Sequence, residues 1–209
     1  MPKVGMEVIR RQSLIKATVD AIHERGFCDV TVAQIAKRAG VSPALAHHYF
    51  GSKDQLFAAT MGQLLQDLSD GVRQRVLLAE TPRERISAII DGNFAPTQFR
   101  PSVIAAWLAF YAQARTTRSS QRILRIYSSR LRSNLTFNLS TFMSREQALK
   151  VAEGTASMID GAWIRQALSE GPSDRDTAIA MVEDYVELQI RQQAGVTASC
   201  DTRSSRKTQ

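Results

Sequence analysis

Three helix starts follow one another closely between residues 31 and 55. Thr31 can cap a helix, and Gln34 three residues on completes a capping-box pattern. Gly40 breaks that helix. Ser42 is a ready N-cap for the next, and Pro43 takes the N1 position, where a missing N–H costs nothing. Ser52 caps another, again with Gln55 at N3. Two short helices about a glycine turn are the signature of a helix-turn-helix, expected here over 31–50. In the first of them Val32, Ile35, Ala36 and Ala39 make the buried face, and Lys37 and Arg38 point elsewhere.

The rest of the chain repeats the helical period and nowhere the alternation of a strand. Before the capped segment a helix is expected over 7–25. Leu14, Ala17, Thr18, Ala21 and Ile22 share its inner face, and Gly26 is its C′ residue. The helix begun at Ser52 runs to about residue 78. Others are expected over 82–94, 101–114, 119–142, 145–169 and 174–193, with prolines at the boundaries. The fold class is therefore all-α. A three-helix helix-turn-helix domain is expected over 8–68, a larger helical body over 69–195, and a disordered Ser/Thr/Lys/Arg-rich tail over 196–209.

Composition narrows the function. Lys and Arg exceed Asp and Glu by 27 to 20, a formal charge of +7 that permits polyanionic partners without naming one. No apolar run approaches the roughly 18 residues of a membrane span, and no signal peptide is evident. Cys28 and Cys200 are far apart and form no CxxC site, which suits a reducing cytoplasm. The residues offer no nucleophile–base motif, metal-spaced cluster or phosphate loop, so no catalytic residue, metal or cofactor is expected. His47 and His48 are adjacent and cannot share a helix face.

The second short helix, SPALAHHYF, has the chemistry of a reading element. Ala44 and Ala46 allow close backbone approach. Ser42, His47, His48, Tyr49 and Lys53 supply donors that reach phosphates. Ala44 or Leu45 suits a thymine methyl. The stretch TVAQIAKRAGVSPALAHHYFGSKDQL resembles the DNA-binding motif of the TetR family of bacterial transcriptional regulators. The matching features are Ile35-Ala36, Ala39-Gly40-Val41-Ser42, Tyr49-Phe50, and Ser52-Lys53 before an acid and Leu56. That resemblance implies an all-helical homodimer with a C-terminal ligand-binding and dimerisation domain. It implies that Pro43, Ala44, Leu45, His47 and Tyr49 face DNA, that Thr31, Gln34 and Lys53 hold phosphates, and that Ala46 and Phe50 are buried. His47 stands where the family usually has tyrosine.

Five further blocks resemble the choline-responsive, betaine-pathway branch of that family. They are MPKVGMEVIRRQ at 1–12, GNF at 92–94, AAWLAFYAQA at 105–114, YSSRLRSNL at 127–135 and IDGAWIRQAL at 159–168. This resemblance implies repression of glycine betaine synthesis and choline uptake genes, with choline as inducer. Quaternary ammonium groups are held by aromatic faces. Trp107, Phe110 and Tyr111 share one helix face, with Tyr127, Trp163 and Phe94 as further candidates. Asp160 or Asp91 offers a counter-charge, and Asn93 a partner for the hydroxyl. The same aromatic stripe also fits an ordinary core, and another small hydrophobic or cationic effector is the alternative. Against a cation site, eight arginines and no acid occur between Gly92 and Arg145 inclusive of the latter. They form a solvated face, a DNA-proximal face or an anion pocket.

Two apolar stripes suit a dimer. One is Ala152, Thr155, Ala156, Ile159, Trp163 and Ala167. The other is Ala178, Met181, Val182, Tyr185 and Leu188. Both could instead be used internally. A two-fold dimer would place its reading helices about 34–36 Å apart, or a multiple of that, on a palindromic double-stranded operator.

Overall fold

The computed structural model describes residues 4–169, 171 and 174–204, with side chains over 5–169, 171 and 174–193. Among the described residues there are nine helices and no strand. They are α1 (Val4–Asp29), α2 (Val32–Arg38), α3 (Pro43–Phe50), α4 (Lys53–Leu78), α5 (Pro82–Asn93), α6 (Pro101–Gln113), α7 (Arg118–Leu139), α8 (Arg145–Leu168) and α9 (Arg175–Ser204). The expected disordered tail begins inside α9, whose backbone is helical through Ser204, and residues 205–209 lie outside the described residues. No proline follows Ser173 to stop that helix.

The chain forms two compact units whose limits differ from a cut at residue 68. The first comprises Met1–Ser69, Pro96–Tyr127 and Ile164–Ser173. It takes in α6 because α6 packs along α1. Its core gathers Leu14, Ala17, Ala21, Val30, Ile35, Ala36, Ala46, Phe50 and Leu56. Fully burying one such leucine, isoleucine or phenylalanine contributes about 1.5–3 kcal/mol. Gly26 interrupts α1 with φ 75°, a value that strains any side chain with a Cβ.

The second unit comprises Asp70–Ala95, Ser128–Trp163 and Asp174–Gln209. Thr81 caps α5 through a capping box with Glu84. Arg83 of α5 pairs with Glu183 at 2.7 Å and Glu187 at 3.4 Å on α9. Asp91 pairs with Arg75 at 2.7 Å and also with Arg175. Asp91 is therefore not a spare counter-charge for a ligand; two guanidinium groups already neutralise it. Gly92 lets α5 approach Val72 closely, and Gly154 does the same for α8 beside Tyr185. The two apolar stripes are divided in use. Ala152, Thr155, Ile159, Trp163, Ala178 and Val182 are buried within the chain, whereas Met181 and Leu188 stay exposed, as does Leu149.

Candidate DNA-reading face and aromatic cluster

The caps form as their residue types require. Thr31 Oγ1 accepts from the Gln34 amide at 3.3 Å, while the Thr31 amide donates to Gln34 Oε1 at 2.8 Å. Ser42 Oγ accepts from the Leu45 amide at 3.2 Å. Ser52 and Gln55 repeat the reciprocal pair at α4. These caps orient α2 and α3 and leave Thr31 and Gln34 exposed. Gly40 turns the chain with φ 69°. The Val41 amide then donates to the Ala36 carbonyl at 3.0 Å, closing the turn.

On α3, Ala46 and Phe50 point into the core, 1% and 8% exposed. Ser42, Pro43, Ala44, His47 and His48 are exposed, and Leu45 and Tyr49 half-buried. The exposed side is thus small near the helix start and hydrogen-bonding near its end. His47 Nδ1 lies 2.6 Å from the Gly51 carbonyl and donates to it, which fixes the ring and leaves Nε2 outward. Lys53 donates to the Cys28 carbonyl at 3.1 Å, with its ammonium 4.4 Å from the Phe27 ring centre. Two of its N–H groups remain for a phosphate.

Arg11 is a positioning residue that sequence reasoning missed. Its guanidinium donates to the Tyr49 carbonyl at 3.0 Å and lies 4.5 Å from the Phe50 ring centre. It ties α1 to the end of α3. No local pattern marks it, because its partners lie 38 residues away. Behind the reading face, Arg38 pairs with Glu24, and that hydrogen bond holds the Glu24 carboxyl below the ordinary carboxylate range.

Within the same unit, four of the expected ligand residues come together. The Trp107 ring centre lies 5.7 Å from that of Phe110, 6.2 Å from Tyr111 and 5.4 Å from Tyr127. Trp107, Phe110 and Tyr127 are buried, and Tyr111 is half-buried. Phe110 continues edge-on to Phe57 of α4, which packs on Phe27. Asn93, Asp160 and Trp163 belong to the other unit. There Asn93 donates to the Ile89 carbonyl at 2.8 Å, and Trp163 is buried. On another side of α6 a cavity of about 570 Å³ is lined by Ile22 and Phe27 of α1 and by Ile104, Ala105 and Leu108. None of the four clustered rings lines it.

A capped turn joining two short helices, with the second helix exposed and built for close approach, defines an all-helical helix-turn-helix DNA-binding regulator. Residues 14–60 match the family described as "Bacterial regulatory proteins, tetR family". Residues 82–191 match "BetI-type transcriptional repressor, C-terminal". The chain belongs to the TetR family of bacterial regulators and is a BetI-type transcriptional repressor. The HTH-type transcriptional regulator BetI of Brucella anthropi is 53% identical over 190 residues, covering 91% of this chain and 98% of that protein. Its namesake in Rhizobium meliloti is 48% identical over 191 residues, covering 91% and 94%. Among solved structures, a TetR transcription regulator from Haloarcula marismortui aligns at TM-score 0.75 with 25% identity, over 86% of this chain and 97% of that one. A transcriptional regulator from Saccharomonospora viridis, solved in complex with choline, aligns at TM-score 0.74 with 17% identity, over 85% and 95%. These relatives are regulators, and the chain acts by binding DNA rather than by catalysis. Among the described residues no helix is long and apolar enough to cross a membrane.

Proposed function

We propose that this repressor controls genes for glycine betaine synthesis and choline uptake, and that choline relieves repression. The observation that carries the reading is the ring cluster of Trp107, Phe110, Tyr111 and Tyr127. A quaternary ammonium has no N–H to donate, so a pocket must hold it by ring faces, at roughly 0.5–2 kcal/mol per good contact. The choline complex of the Saccharomonospora viridis regulator lends support at the level of fold. Asn93, Asp160 and Trp163 are proposed as further ligand-contacting residues. Pro43, Ala44, Leu45, His47 and Tyr49 face the DNA, with Ala44 or Leu45 against a thymine methyl, while Thr31, Gln34, Ser42, His47, His48, Tyr49 and Lys53 offer contacts to phosphates.

The protein works as a homodimer on a palindromic operator. Choline favours a conformation with a different spacing of the reading helices, and its differential affinity sets how far the equilibrium moves. The apolar cavity beside α6 favours a second reading, in which a different small hydrophobic ligand is the effector. Anisotropy titration of an operator duplex with and without saturating choline tests the first. Weaker binding with choline is expected, and replacing Tyr127 by leucine should reduce choline affinity by about 2- to 30-fold. Equal DNA affinity with and without choline would remove the induction scheme. A response lost in Leu108→Trp but retained in Tyr127→Leu would favour the cavity.

A further inference from the structure

The charge of this chain is not shared between its two units. Residues 70–95, 128–163 and 174–209 hold thirteen basic and thirteen acidic side chains. The excess of +7 therefore falls in the unit that carries the helix-turn-helix. Within that unit, residues 1–69 hold eight basic side chains against six acidic, whereas 96–127 hold five arginines and no acid. Most of the excess thus lies outside the reading motif.

Four of those arginines are grouped. Arg115 lies in the α6–α7 turn, and Arg118, Arg122 and Arg125 follow at helical spacing on α7, one above the other on one face. All four are exposed. None of the ion pairs found among the described residues involves them. Like charges so spaced repel one another in the free protein, and only a polyanion relieves all of them together.

A hydrogen-bonded relay places this group. Gln113, at the end of α6, is buried and donates from Nε2 to Asp54 of α4 at 2.8 Å. Ser120 of α7 donates to Gln113 Oε1 at 3.2 Å. Asp54 lies in the first turn of α4, which follows the reading helix after only Gly51 and Ser52. The Ser120 side of α7 is therefore held to the first turn of α4, and Arg118, Arg122 and Arg125, on the opposite side of the helix from Ser120, are turned outward.

We propose that Arg115, Arg118, Arg122 and Arg125 form a second DNA-contacting surface, outside the helix-turn-helix, that binds backbone phosphates of the duplex flanking the operator core. The proposal rests on the reading of the chain as an operator-binding repressor. The contact is to phosphate and carries no base specificity. It adds affinity and salt dependence, and it makes binding sensitive to duplex length.

The test uses full-length protein and two duplexes, a palindromic core selected by this protein from a random pool and the same core extended by ten base pairs on each side. Anisotropy titrations at several salt concentrations give the slope of log K against log salt. Each lost phosphate contact reduces that slope by about 0.9. On the extended duplex, R115Q/R118Q/R122Q/R125Q removes at least one phosphate contact per protomer, which should reduce the slope by about 2 or more per dimer and weaken binding roughly 50-fold or more at 0.1 M salt. On the core duplex, variant and parent should agree. The all-lysine counterpart should retain most of the parent slope, which separates charge from a folding defect, and R145Q on α8 should match the parent. An unchanged slope on the extended duplex, or an equal loss on both duplexes, would overturn the proposal. A parent that selects no sequence from the pool would overturn the repressor reading as well.

Discussion

Gly92 offers a sharp test of how α5 sits on α4. An ideal Cβ at this position would stand 2.6 Å from Val72 Cγ2 and 3.1 Å from the Val72 Cα. The second contact is to backbone, so a rotamer change at Val72 relieves only part of the clash. Overpacking of this kind costs about 1–3 kcal/mol. Replacing glycine by alanine inside a helix contributes up to about 1 kcal/mol in the other direction. The net for Gly92→Ala is a destabilisation of about 1–2 kcal/mol, or a fall in Tm of roughly 2–8 °C for a chain of this size. Gly161 supplies the control, since nothing lies within 4 Å of the Cβ it would gain. Gly161→Ala should raise Tm by roughly 1–4 °C. Thermal unfolding followed by circular dichroism at fixed protein concentration measures both. Val72→Ala should rescue part of the Gly92→Ala loss, with a favourable coupling of about 1 kcal/mol in the double-mutant cycle. If Gly92→Ala raised Tm as Gly161→Ala does, the close approach of α4 and α5 would be wrong.

Two further outcomes follow from the contacts described. Arg11→Met should lower stability by about 1–2 kcal/mol, since it removes one hydrogen bond and the guanidinium contacts with the Tyr49 and Phe50 rings. It should also weaken operator binding, because α3 loses its tie to α1; unchanged DNA affinity would refute the positioning role. Hydrogen bonds from the Glu80 and Thr81 amides, with Thr81 Oγ1 adding to them, hold the Glu84 carboxyl below the ordinary carboxylate range. A depressed carboxylate contributes its stability above its unfolded value and loses it as pH falls through the folded one. The parent should therefore lose more Tm than Glu84→Gln on acidification from pH 7 to pH 3, and parallel curves would refute this.

Much of the reading domain is legible in the local sequence. Thr31, Ser42 and Ser52 cap because a β-region residue with a short side-chain oxygen is the local solution for exposed N–H groups at a helix start. Gly40 turns the chain because φ 69° suits a residue without a Cβ. Several other helix boundaries follow from the same local rules: α5, α6 and α8 end within a residue or two of expectation, whereas α9 runs on through Ser204. The ring face on α6 follows from helical spacing alone, and the structure adds Tyr127 to it from α7.

What local rules cannot supply is which surface each helix face meets. Arg11 looks like any charge on an amphipathic helix until Tyr49 and Phe50 fold against it. Asp91 reads as a spare carboxylate until Arg75 and Arg175 close on it. The dimer stripes read as equivalent until most of the α8 stripe is buried within the chain while Met181 and Leu188 of the α9 stripe stay exposed. The sequence alone determined the all-helical class, the capped helix-turn-helix and the family, because these depend on neighbours within a few residues. Only the tertiary structure decided that α6 joins the unit of the reading helix, and that Gln113 ties α7 to Asp54 across 59 residues. Such pairings depend on apolar burial and charge satisfaction between distant segments, and no local spacing encodes them.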